Sequence, residues 1–264
     1  MSARRTVVTG AAGGIGLALV EALIARGDRV IAADLDAERL AEVGERLRIP
    51  VWAGDVASES GVADLIAFAD AQLGGVDAYF ANAGVFRGAG LQASEDDWSL
   101  SLDVNLMAHV RAAKQLIPRW SPENPGVFAV TASAAGLLTQ LGSPTYAATK
   151  HAAVGFAEWL AATYGDRGVH VSALCPMGVA TPMAEAGEMA TDPDERLGHL
   201  AVKNAGEVVT ATDAAACLLA AIEAGTFLAL PHTQVAQMYL NRATDTDRWL
   251  TGMQRFRASI EAVF

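Results

Sequence analysis

The 264-residue sequence has only two cysteines, Cys175 and Cys217, and no Cys-x-x-Cys pair. That excludes a disulfide framework and fits a reducing compartment. Positive charge is also scarce: Lys and Arg number 19 against 30 Asp and Glu, a net charge of −11. Such a balance repels a phosphate backbone, and no basic run occurs beyond Arg4-Arg5, so nucleic acid and anionic membrane are poor partners. No apolar run reaches the roughly 18 uncharged residues that a membrane span needs. The most apolar stretch, 211–230, is interrupted by Asp213 and Glu223. MSARRTVVTG holds no apolar core of a secretory signal, so the chain is expected to be soluble and cytoplasmic. The five histidines, His109, His151, His170, His199 and His232, show no metal-ligand spacing, and no metal is expected. Repeats, low-complexity tracts and Pro/Ser-rich linkers are missing too.

What the sequence does have is apolar substance: 52% of positions are apolar and 19% charged, the reverse of a disordered composition. Short β-branched runs at 6–8, 29–32, 50–52, 76–81, 127–131, 169–174 and 227–230 read as strands. Between them, helical patterns occupy about 15–25, 37–47, 61–72, 96–117, 146–164 and 212–224. This alternation predicts an α/β fold, a doubly wound Rossmann-type parallel sheet of about seven strands with helices on both faces, forming one domain over 1–264. Two stretches depart from it. The polar segment 182–209, with Pro193 and Gly187, reads as a mobile insertion and a substrate lid. In the tail 235–264, Trp249, Met253, Phe256 and Ile260 recur at helical spacing, a stripe that faces either the core or a neighbouring subunit, the core being favoured.

The candidate chemistry lies where strands end. The first strand runs into Thr9-Gly10-Ala11-Ala12-Gly13-Gly14-Ile15-Gly16 and then an apolar helix. A glycine turn there lets the backbone approach a pyrophosphate at the helix N-terminus, so an acidic protein can hold an anion without a basic patch. The second strand closes on Asp34, placed to accept from both ribose hydroxyls of an adenosine and to repel a 2′-phosphate, which favours NAD over NADP; capping the next helix is the alternative. No basic residue falls within Ala11 to Gly14. Asp55 ends the third strand, as a partner for an adenine amino group or as a helix cap. Asn82-Ala83-Gly84 follows the fourth strand and Ser133 the fifth.

Tyr146 and Lys150 stand four apart on one helical face. A phenol with a reference pKa of about 10 is a poor base near neutrality, and a neighbouring ammonium is expected to lower it. Ser133 can then donate to a substrate oxygen and hold it against the tyrosine. Asn105 shares a stripe with Trp98, Leu102, His109 and Leu116. It either orders a water leading to Lys150 or is a satisfied core amide that bends its helix. In a doubly wound sheet ligands bind at the carboxyl edge, where the glycine turn, Asp34, Asp55, Asn82, Ser133 and the segment 176–181 all fall.

These residues resemble the short-chain dehydrogenase/reductase family, over nearly the whole chain to about Leu230. The matching features are Thr9-Gly10-x-x-x-Gly14-x-Gly16, Asp34, Asp55, Asn82-Ala83-Gly84, Asn105, Ser133 and Tyr146-x-x-x-Lys150. Gly10, Gly13 and Gly16 also satisfy the spacing of the longer epimerase and dehydratase branch; chain length favours the shorter, single-domain branch. The resemblance implies that Tyr146 is the acid/base, that Lys150 lowers its pKa and holds the nicotinamide ribose, that Ser133 orients substrate, and that Asn105 completes a proton relay. It implies that Gly10, Gly14, Ile15, Gly16, Asp34, Asp55, Val56, Asn82, Ala83, Gly84, Tyr146, Lys150, Pro176, Val179 and Thr181 contact NAD. It also implies a homo-oligomer, tetramer or dimer, assembled through the helices at 96–117 and 146–164. Met177 departs from the pattern, standing directly after Pro176 where the family usually has glycine, and is expected to reshape the pocket.

The expected pocket lining, Phe86, Leu91, Leu137, Leu141, Met177, Met183 and Met189, carries no Arg or Lys. The implied activity is NAD-dependent hydride transfer with a small-molecule substrate, a secondary alcohol or ketone that is neutral and largely apolar. A non-catalytic dinucleotide-binding sensor on the same scaffold is the alternative. A hydrolase is disfavoured because Ser133 lacks the Gly-x-Ser-x-Gly turn.

Overall fold

The computed structural model describes residues 3–262. Its strands are β1 (Arg5–Thr9), β2 (Arg29–Asp34), β3 (Val51–Ala53), β4 (Ala78–Ala81), β5 (Gly126–Thr131), β6 (Val169–Leu174), β7 (Val179–Ala180), β8 (Val209–Thr210) and β9 (Leu228–Ala229). Seven of them form one sheet in the order β3-β2-β1-β4-β5-β6-β9, and every pairing is parallel. β1 pairs with both β2 and β4, so the order reverses beside β1, and the crevice of a doubly wound sheet opens at that switch point.

The helices are α1 (Gly14–Ala25), α2 (Ala37–Leu47), α3 (Glu59–Leu73), α4 (Glu95–Leu102), α5 (Ala108–Leu116), α6 (Ala135–Leu138), α7 (Pro144–Tyr164), α8 (Pro182–Glu188), α9 (Pro193–Asn204), α10 (Ala211–Ala224), α11 (Gln234–Thr244) and α12 (Thr246–Glu261). Successive strand side chains point to opposite faces, so Val7 and Val8, both fully buried, enter different layers. Val7, Phe128 and Val130 meet Leu65 and Ile66 of α3, Leu116 of α5 and Leu160 of α7. Val8 and Ala129 meet Leu19 and Leu23 of α1 and Leu218 and Ile222 of α10. Among the described residues no helix is long and apolar enough to cross a membrane.

Three local features differ from the sequence reading. The stretch expected as one helix over 96–117 is two, α4 and α5, joined by a π-helical segment, Asp103–Met107. The wider turn rotates the buried face: Leu102 is 40% exposed although Asn105 and His109 of the same expected stripe are buried. The segment 182–209 is not irregular; it folds into α8, α9 and β8, and β8 pairs with β7. The tail forms α11 and α12 and packs on its own chain. Trp249 rests against the α3/α5/α7 core, while Ile260 and Phe256 meet Leu197 and Ala201 of α9.

Candidate active site

At the end of β1 the chain must turn sharply beneath β4. Gly10 (φ 64°) and Gly14 (φ 53°) take left-handed conformations that favour glycine. A Cβ on Gly16 would collide with the Gly10 carbonyl oxygen and stand 2.6 Å from the Asn82 side-chain nitrogen. The turn is tied to β4 by two residues. The Thr9 hydroxyl accepts from the backbone N–H groups of Asn82 and Ala83, both at 3.0 Å. The Asn82 amide donates to the carbonyls of Thr9 (2.9 Å) and Gly10 (3.2 Å). Asn82 therefore shapes the turn, with both amide hydrogens engaged inside the protein. The first turn of α1 has no side-chain cap, leaving its N–H groups to an incoming anion. A Cβ on Gly13 would meet nothing nearer than Pro182 at 3.9 Å, so the turn's outer surface is open. Ile15 packs on the α1/α10 core.

Asp34 accepts from the Ala12 N–H (2.9 Å) through one oxygen and from the Asp36 N–H (3.1 Å) through the other. It does not cap α2; Asp36 does, accepting from the Arg39 N–H. Likewise Ser58 caps α3, so Asp55 is left with the Ala57 N–H at 2.8 Å on one oxygen. Both carboxylates stand at the sheet's carboxyl edge, Asp34 half-buried and Asp55 exposed, with Val56 buried beneath. These residues fit a dinucleotide: an uncapped helix start, an open glycine turn and an acidic group at the end of the neighbouring strand.

Ser133 follows β5, and its hydroxyl accepts from the Ala135 N–H (3.1 Å) and donates to the Pro176 carbonyl (3.4 Å). It also acts on the Tyr146 phenol, favouring its ionised form. Ser143 caps α7 through the Tyr146 N–H and fixes where that helix begins. The Lys150 ammonium lies 5.6 Å from the centre of the Tyr146 ring and donates to the Thr131 carbonyl at 2.9 Å. Gly84 leaves room for this group: a Cβ there would stand 3.3 Å from both the Lys150 nitrogen and the Asn105 side-chain oxygen.

The electrostatics differ from the expectation. Burial pushes Tyr146 above the ordinary phenol range, and the Ser133 hydrogen bond only partly offsets this. Burial also lowers Lys150 to about 8. The ammonium bonds a backbone carbonyl rather than the phenol, so the phenol of this form is not acidified. Asn105 is likewise occupied. Its oxygen accepts from the Val85 N–H (2.9 Å), and its nitrogen donates to the Val85 carbonyl (3.0 Å) and to the Thr149 hydroxyl (3.1 Å). The side chain thus pins the 84–86 loop to the π segment and leaves no amide hydrogen for a relay.

The Pro176 carbonyl takes the Ala134 N–H at 2.8 Å. Val179 lies in β7, and Thr181 caps α8 while its methyl leans on Gly14. Of the expected lining, Phe86 packs on the Tyr146 ring with centroids 4.9 Å apart. Leu137 is buried and Leu141 half-buried beside α9. The Met177 sulfur accepts from Gln234, the first residue of α11, at 3.7 Å. Leu91 (94%) and Met189 (84%) are exposed, as is Met183. Sequence reasoning missed His232, just past β9. It accepts from the Met177 N–H at 3.2 Å and bonds the Glu207 carbonyl at 3.0 Å, bracing the 175–178 turn. Its position after the last strand, at the same sheet edge, was the available signal. Also missed was Cys175, whose thiol is buried beneath the site and pushed up to about 12 by that burial.

A sheet switch point carrying an uncapped glycine turn, with a half-buried tyrosine and a buried serine and lysine alongside, defines a dinucleotide-dependent oxidoreductase. The short chain dehydrogenase family matches over residues 4–191. Momilactone A synthase of Oryza sativa subsp. japonica is 34% identical over 233 residues, 84% of each chain. The 1-deoxy-11-beta-hydroxypentalenate dehydrogenase of Streptomyces exfoliatus is 36% identical over 198 residues, 70% of each. Among solved structures, a short chain dehydrogenase/reductase from Burkholderia phymatum in complex with NAD superposes with a TM-score of 0.83 at 28% identity, covering 92% of this chain and 93% of that one. The chain belongs to the short chain dehydrogenase family, oxidoreductases that use a nicotinamide cofactor.

Proposed function

We propose that this protein is an NAD-preferring dehydrogenase that interconverts a neutral, largely apolar secondary alcohol and its ketone, with Tyr146 as the proton-transfer group. The observation that carries this reading is the half-buried Tyr146 phenol, its ring packed on Phe86, with the Lys150 ammonium 5.6 Å from the ring and the Ser133 hydroxyl acting on the phenol. A bound oxidised nicotinamide would supply the hydride acceptor and a positive charge that favours the ionised phenol. Tyr146 accepts the alcohol proton in oxidation and returns it in reduction. Ser133, held between Ala135 and Pro176, orients the substrate oxygen toward Tyr146. Lys150, anchored on Thr131, keeps a cation near the phenol as it ionises.

The preference for NAD rests on Asp34, whose negative charge opposes a 2′-phosphate; the nearby cation Arg39 is paired with Asp36 at 3.5 Å. The apolar substrate class rests on Phe86, Leu137 and Leu141. We read α8 and α9 as the roof of the substrate pocket within one domain. Gln140 donates to the Gly198 carbonyl at 3.2 Å, and a Cβ on Gly198 would touch the Phe86 ring at 3.4 Å, so α9 closes down on the residues next to Tyr146. The test is steady-state turnover of Tyr146→Phe with NAD and a panel of secondary alcohols. Loss of at least a hundredfold in kcat is expected for a removed acid/base group; full retained turnover refutes the assignment.

A further inference from the structure

β6 and β9 run parallel with Leu174 opposite Ala229, and equal counts past that pair bring Met177 and His232 together beyond the sheet edge. The Cys175 N–H still bonds a β9 carbonyl, that of Ala229, at 2.9 Å. Two residues on, the partner is a side chain: the Met177 N–H donates to Nδ1 of His232 at 3.2 Å, and the imidazole is 3% exposed. A backbone N–H can only donate, so Nδ1 is bare and the ring proton sits on Nε2. From there it is donated to the Glu207 carbonyl at 3.0 Å.

The two groups joined by the ring belong to different sides of the cleft. The Met177 N–H is one half of a peptide unit whose other half is the Pro176 carbonyl. That carbonyl accepts from the Ala134 N–H at 2.8 Å and from the Ser133 hydroxyl at 3.4 Å. An acceptor on the N–H polarises the unit and strengthens its carbonyl as an acceptor, so the imidazole acts on the segment that places Ser133. Glu207 lies on the other side, in the short connection between the end of α9 at Asn204 and β8. A backbone bridge runs alongside, with the Val209 N–H donating to the Gly178 carbonyl at 3.1 Å where β8 pairs with β7. That bridge does not depend on the imidazole.

We propose that His232 is a positioning residue that couples the roof of the substrate pocket to Ser133, through the Pro176–Met177 peptide at one end of the ring and the Glu207 carbonyl at the other. This rests on the reading of Ser133, α8 and α9 given above. The Nδ1 end governs how Ser133 is held and is read in kcat. The Nε2 end governs how α9 comes down over the alcohol and is read in the alcohol KM.

Side-chain amides separate the two ends. In His232→Asn the amide oxygen takes the place of Nδ1 and accepts from Met177, but the shorter side chain does not reach Glu207. In His232→Gln the amide nitrogen takes the place of Nε2 and donates to Glu207, with no acceptor left at Nδ1. His232→Leu loses both bonds and should lower kcat and raise the alcohol KM, each by about tenfold, the scale of one buried hydrogen bond. His232→Asn should recover kcat and keep the raised KM; His232→Gln should recover KM and keep the lowered kcat. A ring that merely fills space would make the two amide variants alike, and that result overturns the proposal, as do wild-type constants in His232→Leu. Nitrogen NMR of histidine-labelled wild-type protein saturated with NAD needs no variant to fold. The imidazole in contact with the Met177 backbone should carry its proton on Nε2; a proton on Nδ1 overturns the proposal. Full turnover by Tyr146→Phe would sink the functional reading instead and leave the NMR result standing.

Discussion

Acid should weaken this fold through one identifiable group. In the folded protein His109 titrates at about 3, whereas the exposed imidazole of the unfolded chain titrates near 6.5. Between these values the unfolded chain holds a proton that the folded chain refuses. The stabilisation is therefore complete above about pH 6.5 and is lost as pH falls toward 3. At about pH 5 the loss from this residue alone is about 2 kcal/mol. The perturbation is His109→Gln, which keeps a polar side chain of similar length but does not titrate in this range. Urea unfolding of wild type and variant, followed by tryptophan fluorescence near pH 7.5 and again near pH 5, isolates the effect. Groups common to both proteins, His170 among them, cancel in the double difference. Wild type should lose about 2 kcal/mol more than the variant on acidification; equal losses would refute the argument.

Gly16→Ala should destabilise the protein by about 1–3 kcal/mol and weaken NAD binding at least tenfold by calorimetry, because the added methyl meets the Gly10 carbonyl; undiminished affinity would contradict the turn's role. Asp34→Ala should raise kcat/KM with NADP relative to NAD by about tenfold or more, the worth of one charged contact. An unchanged ratio would mean that the ribose is read elsewhere. Ile260→Ala, at a site 3% exposed against Leu197 and Ala201, should cost about 2–4 kcal/mol and raise the alcohol KM while sparing that for NAD. A variant with wild-type stability and KM values would show that α12 does not support α9.

The alternation of β-branched runs and helical stripes made the sheet legible, because the central strands β1, β4 and β5 carry enough apolar residues to be buried on both faces. The carboxyl-edge residues were legible for the same reason: a residue just past the end of a parallel strand can only lie at that edge. Two ambiguities needed coordinates. Asp34 and Asp55 read equally well as ribose or adenine partners and as helix caps, and only the coordinates show that the caps are Asp36 and Ser58. The π segment was invisible, since one extra residue in a helical turn leaves no mark on composition, yet it moves Leu102 to the surface and lets Asn105 reach Val85. The pKa of Tyr146 was misjudged for a related reason. Sequence spacing shows that an ammonium is near a phenol, but not how much water both have lost nor that Thr131 holds the ammonium.

The packing of α12 on α9 ties the substrate side of the cleft to a helix synthesised well after every proposed catalytic residue. The glycine turn, Ser133, Tyr146 and Lys150 can all assemble within the sheet while Leu197 and Ala201 of α9 still lack Phe256 and Ile260. A nascent chain could thus acquire its nucleotide half before its alcohol half, and a fusion or epitope tag attached beyond α12 would be felt first in the choice of alcohol.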